Sequence, residues 1–263
     1  MNISASIKGK RPGWGAFFRE VSVALACCLF LGLFLPTWAA EKTVPVWLLK
    51  QTDYAAGRYS LYVGDEAVRL EGFCGRACVV ARAPKWEVVA FNRDGYYYPM
   101  TLEYWNKVGL GGNASDLRVI FKDLSRAKTS KTVMFKLPCL RVEKRVRFVG
   151  EDNAFSTMPR NSVEEGTLAM TLTSDLKLSR EALMFVRGVY KIPPTGGFLL
   201  SFSRGNMKKE ESVLRTESIT MEKAPLSLFA VPGRLKLAKT LNSIIYGKEA
   251  EDMMLDMSGA ALH

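Results

Sequence analysis

Histidine is almost absent from this sequence, because the only one among its 263 residues is the last, His263. Chain ends are seldom held in fixed geometry, so His263 is a poor candidate for a catalytic base or a metal ligand. Serine and cysteine hydrolases with a histidine base, HExxH zinc hydrolases and histidine-rich metal sites all need such a residue. The sequence argues against these classes, and we predict no metal, no cofactor and no enzymatic activity.

Long apolar runs are scarce as well, and the one that is present lies near the start of the chain. Residues 21–36 carry no charge, four basic residues precede them, and Thr37-Trp38-Ala39-Ala40 follows. This order is typical of a secretory signal peptide. Two alternatives are an uncleaved membrane anchor, since roughly 20 apolar residues can cross a bilayer, and a lipid-modified Cys27. We therefore predict a signal peptide at 1–40, a single domain at 41–246 and a short tail at 247–263, in an exported protein of the periplasm or cell envelope.

Runs of five or more like charges are absent, although the chain as a whole is basic. Lys and Arg number 37 against 26 Asp and Glu, and without residues 1–40 the balance is 33 against 25, a net charge of +8. Proteins that bind nucleic acid usually concentrate such charge, so no nucleic-acid partner is predicted. An anionic membrane surface is a more plausible partner for an exported basic domain, and a solubilising surface without a partner is the alternative.

Cysteine is infrequent, with three residues after position 40: Cys74, Cys78 and Cys139. A short Gly-containing connection between two strand-like segments separates Cys74 from Cys78, and an exported domain matures in an oxidising compartment. We predict a Cys74–Cys78 disulfide. The alternatives are that one or both thiols are reduced, or that Cys139 pairs with one of them. Three thiolates without a fourth ligand make a zinc site improbable.

Short segments rich in Tyr, Val, Phe and Trp recur at spacings near ten residues, with Gly, Asn or Pro between them. This spacing predicts a mainly β (α+β) fold built on an antiparallel sheet. Two segments have helical spacing instead, 116–127 after Ser115 and 180–189 after Ser179, and each serine is placed to cap its helix. The predicted strands are 58–63, 67–72, 78–82, 86–91, 96–102, 132–149, 198–204 and 212–222.

Aromatic side chains give the candidate ligand site. Tyr97, Tyr104 and Trp105 lie in a predicted aromatic hairpin, and Phe185 lies on the second predicted helix. Aromatic residues line apolar ligand cavities because they combine a large area with a polar handle, and they also fill ordinary sheet cores. We name these four residues as candidate ligand contacts.

A basic row gives a second candidate surface. Arg141, Arg145 and Arg147 alternate with apolar residues along one strand, so they share one face of it. Such a row either binds anionic head groups or is the solvated face of an antiparallel sheet. The first interpretation gives the alternative function, a structural or interaction protein of the cell envelope that uses this basic face. Adjacent carboxylates such as Asp65 and Glu66 leave a hydrolase without histidine as a remote alternative.

Several motifs resemble the LolA/LppX-like superfamily of envelope proteins. They are GRYSLYVGDEAVRL at 57–70, RAPKWEVVAFN at 82–92, MTLEYW at 100–105, IPPTGG at 192–197 and SITMEKAPLSLFAVP at 218–232. The resemblance implies a curved antiparallel sheet, an incomplete barrel whose apolar concave face is covered by helices. It also implies a non-enzymatic carrier of lipid or lipoprotein acyl chains. The known carriers latch their covering helices with a buried arginine, and no arginine of this chain is assigned to that position.

Overall fold

The computed structural model describes residues 41–110, 127–149, 163–190, 197–206 and 210–247, and the structural statements below concern these residues. The predicted signal peptide, nearly all of the predicted helix at 116–127 and the tail beyond residue 247 lie outside them. Within the described ranges, no helix is both long and apolar enough to cross a membrane.

Twelve β-strands form one open sheet, which confirms the prediction of a mainly β, antiparallel fold. Among the described strands every neighbouring pair is antiparallel except β12 and β6, which run parallel. The strand order is β12-β6-β5-β4-β3-β2-β1-β11-β10-β9-β8-β7. The strands are β1 Thr43–Asp53, β2 Gly57–Val63, β3 Ala67–Phe73, β4 Ala77–Arg82, β5 Val88–Asn92, β6 Tyr96–Met100, β7 Lys128–Met134, β8 Leu137–Val149, β9 Val163–Thr173, β10 Phe198–Asn206, β11 Glu210–Pro225 and β12 Lys236–Leu237.

Two long strands, β1 and β9, were not predicted, and β1 is the central one. It pairs with β2 on one side and with β11 on the other, so it joins the two halves of the sheet. Its register against β11 shifts between Lys50 and Gln51. The extra residue at this bulge is Glu217 in β11, whereas β1 stays in regular register with β2. Strand β1 is buried on both faces, since Val44 and Val46 lie in an outer-face cluster and Leu49 in the inner core, so its sequence shows no simple alternation of apolar and polar residues.

The described ranges contain three short α-helices: α1 Leu102–Val108, α2 Arg180–Tyr190 and α3 Leu241–Tyr246. Helix α2 confirms the prediction at 180–189, and the Ser179 hydroxyl accepts a hydrogen bond from the backbone N–H of Ala182 at 3.3 Å. Helix α1 was not predicted, since its first residue was assigned to a strand at 96–102. The Thr101 hydroxyl accepts from the Tyr104 backbone N–H at 3.1 Å, and this cap ends strand β6 and starts the helix.

The sheet has two unlike faces. The inner face carries the large core cluster, to which all three helices contribute buried residues. The outer face has two smaller clusters. The chain from the 3-10 helix Leu226–Phe229 to β12 packs against them, and we call this stretch the crossing segment. Arg69 holds this crossing segment, because its guanidinium donates to Leu228 O at 2.6 Å, lies 5.8 Å from the Phe91 ring centroid and pairs with Glu71 at 3.1 Å.

Candidate functional site

Helices α1 and α2 pack together through Trp105 and Phe185, and we call them the helix pair. Both side chains are fully buried, and their rings stack with centroids 5.3 Å apart. The Trp105 indole N–H donates to Phe185 O at 2.8 Å, and the Leu110 backbone N–H donates to Gly188 O at 3.1 Å. Gly188 has no side chain, which leaves the space that the indole ring occupies. The helix pair is therefore a closely fitted unit.

A row of polar side chains crosses the inner face beneath the end of α2. Gln51 on β1 has Tyr59 on β2 and Thr216 on β11 as its cross-strand neighbours, and Tyr190 approaches from the helix. The Tyr190 hydroxyl donates to Gln51 Oε1 at 2.5 Å, and Gln51 Nε2 donates to Thr216 Oγ1 at 2.9 Å. Thr216 in turn donates to Leu200 O at 2.6 Å. We call Gln51, Tyr59, Tyr190 and Thr216 the polar cluster.

The polar cluster is uncharged and fully satisfied. Burial raises the pKa of Tyr190 and of Tyr59 well above the ordinary tyrosine value, so both hydroxyls stay protonated at neutral pH. No buried side-chain nitrogen or oxygen among the described residues lacks a hydrogen-bond partner. The cluster therefore ties α2 to the sheet through neutral hydrogen bonds in an otherwise apolar interior.

A cavity of about 70 Å³ lies beside the polar cluster. Its walls are mainly apolar, and its polar side chains are Asp53, Tyr59, Tyr190 and Tyr246. The other lining residues are Ala55, Ala56, Phe73, Cys74, Leu110, Val189, Leu199, Phe202 and Leu214.

The cavity adjoins a surface groove of about 690 Å³. The two share Ala55, Ala56, Cys74 and Tyr246, which mark the mouth between them. Arg58 and Arg76 line the groove and are not among the residues that line the cavity. Both arginines are ion-paired, Arg58 with Glu217 at 3.8 Å and Arg76 with Asp94, and Asp53 is the one charged residue that lines the cavity.

The structure brings together two of the four predicted ligand residues. Trp105 and Phe185 meet in the helix pair, whereas Tyr104 is 45% exposed on α1 and Tyr97 packs against the outer-face cluster around Phe91. None of the four lines the cavity. Aromatic content therefore located the helix pair and missed the cavity beside it.

The residues that sequence analysis missed are the members of the polar cluster. Gln51 was detectable in principle, because a glutamine that closely follows the apolar run at 46–49 is unusual in a buried strand. Its partners Tyr190 and Thr216 lie 139 and 165 positions further along the chain, so no local pattern connects them.

The predicted basic row is interleaved with carboxylates. Arg141 pairs with Glu143 at 2.6 Å and with Glu210 at 3.8 Å, and Arg147 pairs with Glu165 at 3.7 Å. Arg145 is exposed between them. This face is consequently of mixed charge, which is the ordinary composition of a solvated sheet face.

The predicted Cys74–Cys78 disulfide is wrong, since the structure has Cys74, Cys78 and Cys139 as free thiols. The facing pairs in this hairpin are Phe73 with Ala77 and Glu71 with Cys78. Cys74 lies in the turn with φ 51° and packs against the inner core, while Cys78 belongs to an outer-face cluster. The two thiols thus lie on opposite faces of the sheet, which a disulfide cannot bridge.

The buried thiol of Cys78 should make the folded protein less stable at alkaline pH. Burial raises the pKa of Cys78 from about 9 to about 12. The native thiol keeps its proton where the unfolded one loses it, so this contribution is complete below pH 9 and is lost as the pH rises toward 12. We expect the free energy of unfolding to fall by about 1.4 kcal/mol per pH unit through this group in that window.

Urea unfolding of the wild type and of Cys78→Ala at pH 8, 9, 10 and 11 isolates this effect. The tyrosines titrate in both proteins, so the difference between the two curves belongs to Cys78. The difference should change steadily above pH 9, and curves that stay parallel up to pH 11 would show that the thiol titrates normally.

Neither a metal site nor a similarity to known proteins helps to assign a function to this chain. Among the described residues, no three His, Cys, Asp or Glu side chains are grouped so that they could hold a metal ion. A scan against models of known protein families finds no match for this chain, and a search of curated proteins finds none either. The site geometry is therefore the main basis for a functional assignment.

Proposed function

We propose that this is an exported, non-enzymatic protein of the cell envelope that binds a lipid or a lipoprotein acyl chain between the inner face of the sheet and the helix pair. The observation that carries the proposal is the apolar cavity, which has neutral hydrogen-bonding groups on one wall and a mouth that opens into a groove. Apolar walls with a few convergent polar groups are typical of small-molecule sites.

The resemblance to the LolA/LppX-like superfamily supports the same assignment. In that superfamily an incomplete barrel holds the acyl chain against its concave face, and helices cover it. An open antiparallel sheet with its helices on one core face is compatible with this arrangement. Export rests on the signal-peptide pattern of residues 1–40.

The cavity must widen to take a ligand. Its 70 Å³ is well below the roughly 300–1,000 Å³ of ordinary ligand sites, so the described state is the closed one. Helix α2 is held at its start by the Ser179 backbone N–H, which donates to Asp65 Oδ1 at 2.7 Å. It is held at its end by the bond between Tyr190 and Gln51. We propose that α2 turns about its start and releases Tyr190 from Gln51.

This movement exposes the Gln51 amide and the Tyr190 phenol to the ligand. These groups favour a ligand whose polar end carries no charge. In the described residues no arginine or lysine is buried, and the only charged group lining the cavity is the carboxylate Asp53. A free fatty-acid carboxylate would have no cation to pair with there, and burying an unpaired charge is costly. The expected ligand is therefore an acyl ester, whose carbonyl accepts hydrogen bonds from Tyr190 or Gln51.

Displacement of a fluorescent monoacylglycerol by unlabelled monopalmitoylglycerol tests the proposal. Ala55 is exposed and lines the mouth, so Ala55→Trp should block entry at little cost to folding and weaken binding at least tenfold. The matched control is Ala230→Trp, at an exposed position that lines neither cavity nor groove. Binding that is not saturable, or that both substitutions leave unchanged, would contradict the proposed site.

The bond between Tyr190 and Gln51 can be measured by a double-mutant cycle in urea unfolding. Tyr190→Phe or Gln51→Leu alone leaves a buried polar partner unsatisfied, which costs about 1–3 kcal/mol. The double variant removes both members of this bond, so we expect it to cost clearly less than the sum of the two single changes. Strictly additive losses would show that this bond does not hold the helix.

A further inference from the structure

The edge of the sheet at β12 differs from the rest of the surface. Lys236 and Leu237 pair in parallel with Tyr96 and Tyr97 of β6. The Lys236 backbone N–H donates to Gly95 O and the Ala238 N–H donates to Tyr97 O, both at 2.8 Å. These bonds fix the end of the crossing segment beside the β5–β6 turn. We call the exposed side chains here the β12 edge: Arg93, Tyr96, Arg234, Lys236, Leu237 and Lys239.

The charge of the β12 edge is of one sign. Arg234, Lys236 and Lys239 lie in a stretch, 223–247, that contains no Asp or Glu, and Arg93 in the adjoining turn is the fourth cation of the edge. None of the four cations of the β12 edge makes an ion pair with a described residue, whereas Arg141 and Arg147 on the other half of the sheet are both paired. Asp94, the carboxylate in the adjoining turn, is paired with Arg76. The positive charge of this edge is therefore not neutralised within the described protein.

Apolar side chains stand among these cations. Leu237 is 64% exposed, and Tyr96 on the paired strand is 41% exposed. Lysines alone protect a sheet edge from aggregation, so edge protection accounts for Lys236 and Lys239 but not for an exposed leucine. Leucine and tyrosine set between basic residues are typical of surfaces that lie in the interface of an anionic bilayer.

We infer that the β12 edge docks on an anionic membrane surface, with Leu237 and Tyr96 entering the head-group region and the four cations contacting lipid phosphates. A hydrated acidic polymer would be attracted by the same charges, but it would gain nothing from the exposed leucine. The inference does not depend on the cavity, since the edge would bind vesicles whether or not the protein carries a lipid.

Co-sedimentation of the full chain with vesicles at about 0.1 M salt tests this inference. The vesicles are phosphatidylcholine with 30 mol% phosphatidylglycerol, and phosphatidylcholine alone serves as the neutral reference. Each cation near an anionic surface contributes about fivefold in binding, so the variant Arg93→Gln, Arg234→Gln, Lys236→Gln, Lys239→Gln should lose several-hundredfold. Leu237→Ser should lose a further several-fold on the anionic vesicles.

The matched control is a variant that loses four positive charges on the outer face of β7 and β8 instead. Its substitutions are Lys128→Gln, Arg141→Gln, Arg145→Gln and Arg147→Gln. We expect it to lose less than tenfold, because carboxylates interleave with this row. Equal losses in the two variants, or none in the first, would overturn the inference. Melting curves of both variants confirm that each is folded.

A footprint on the wild type needs no substitution. Anionic vesicles should protect Lys236 and Lys239 from an amine-acylating reagent, as read by mass spectrometry, and should leave Lys128 and Lys131 at the opposite edge reactive. Neutral vesicles should protect none of these four. Protection of Lys128 and Lys131 without Lys236 and Lys239 would assign membrane binding to another surface, whatever else holds the chain on the vesicle.

Discussion

Replacing Trp105 by alanine is expected to lower the free energy of unfolding by about 3–5 kcal/mol, the range for removing a fully buried large aromatic side chain. The indole ring has no exposed surface, stacks on Phe185 and donates to its backbone carbonyl at 2.8 Å. Alanine would lose all three contributions and leave a void between the helices. Urea unfolding followed by circular dichroism gives the value.

The neighbouring residue supplies the control for this loss. Tyr104 lies on the same helix, is aromatic and is 45% exposed. Tyr104→Ala should change stability by no more than about 0.5 kcal/mol, as surface substitutions usually do. Similar values for the two variants would mean that the helix pair is not packed as described.

Gly188→Ala is expected to destabilise the protein by about 2–4 kcal/mol, although alanine is normally the better helix residue. A Cβ at Gly188 would lie 2.8 Å from Trp105 Cε2 and closer still to Nε1. Overpacking costs about 1–3 kcal/mol, and a displaced indole N–H that is left unsatisfied adds a similar amount. The intrinsic helix gain of about 1 kcal/mol for glycine to alanine offsets only part of this.

Gly233→Ala is the matched control, because no atom lies within 4 Å of a Cβ at that position. It should be neutral or slightly stabilising, since alanine restricts the unfolded chain. Thermal unfolding of both variants and of the wild type measures the two changes in stability. A Gly188→Ala protein as stable as the wild type would contradict the tight contact in the helix pair.

The parts of the fold that were predictable depend on local signals. Strands β2 to β6, β10 and β11 and helix α2 follow from alternation, turn residues and the Ser179 cap. Strands β9 and β12 were not predicted, and the single stretch predicted at 132–149 is divided between β7 and β8. Strand β1 was missed because both of its faces are buried, which removes the alternation of apolar and polar residues, and α1 was missed because Thr101 caps a helix directly after an aromatic strand.

The site was less predictable because it is assembled from distant segments. Trp105 and Phe185 were named separately as aromatic candidates, and only the fold shows that they touch. Gln51 meets Tyr190 and Thr216 through strand register and helix placement, which no short motif encodes. The disulfide prediction failed for the same kind of reason, since the register of β3 and β4 pairs Cys78 with Glu71, and Cys74 lies in the turn and packs against the inner core.

Native mass spectrometry of the protein purified from the envelope of the cells that make it tests the central claim most directly. The account predicts one ester lipid per chain in the wild type and in Ala230→Trp, and an empty Ala55→Trp protein. A wild type that is always empty, and that also fails to take up added monopalmitoylglycerol, would contradict a ligand site between the sheet and the helix pair.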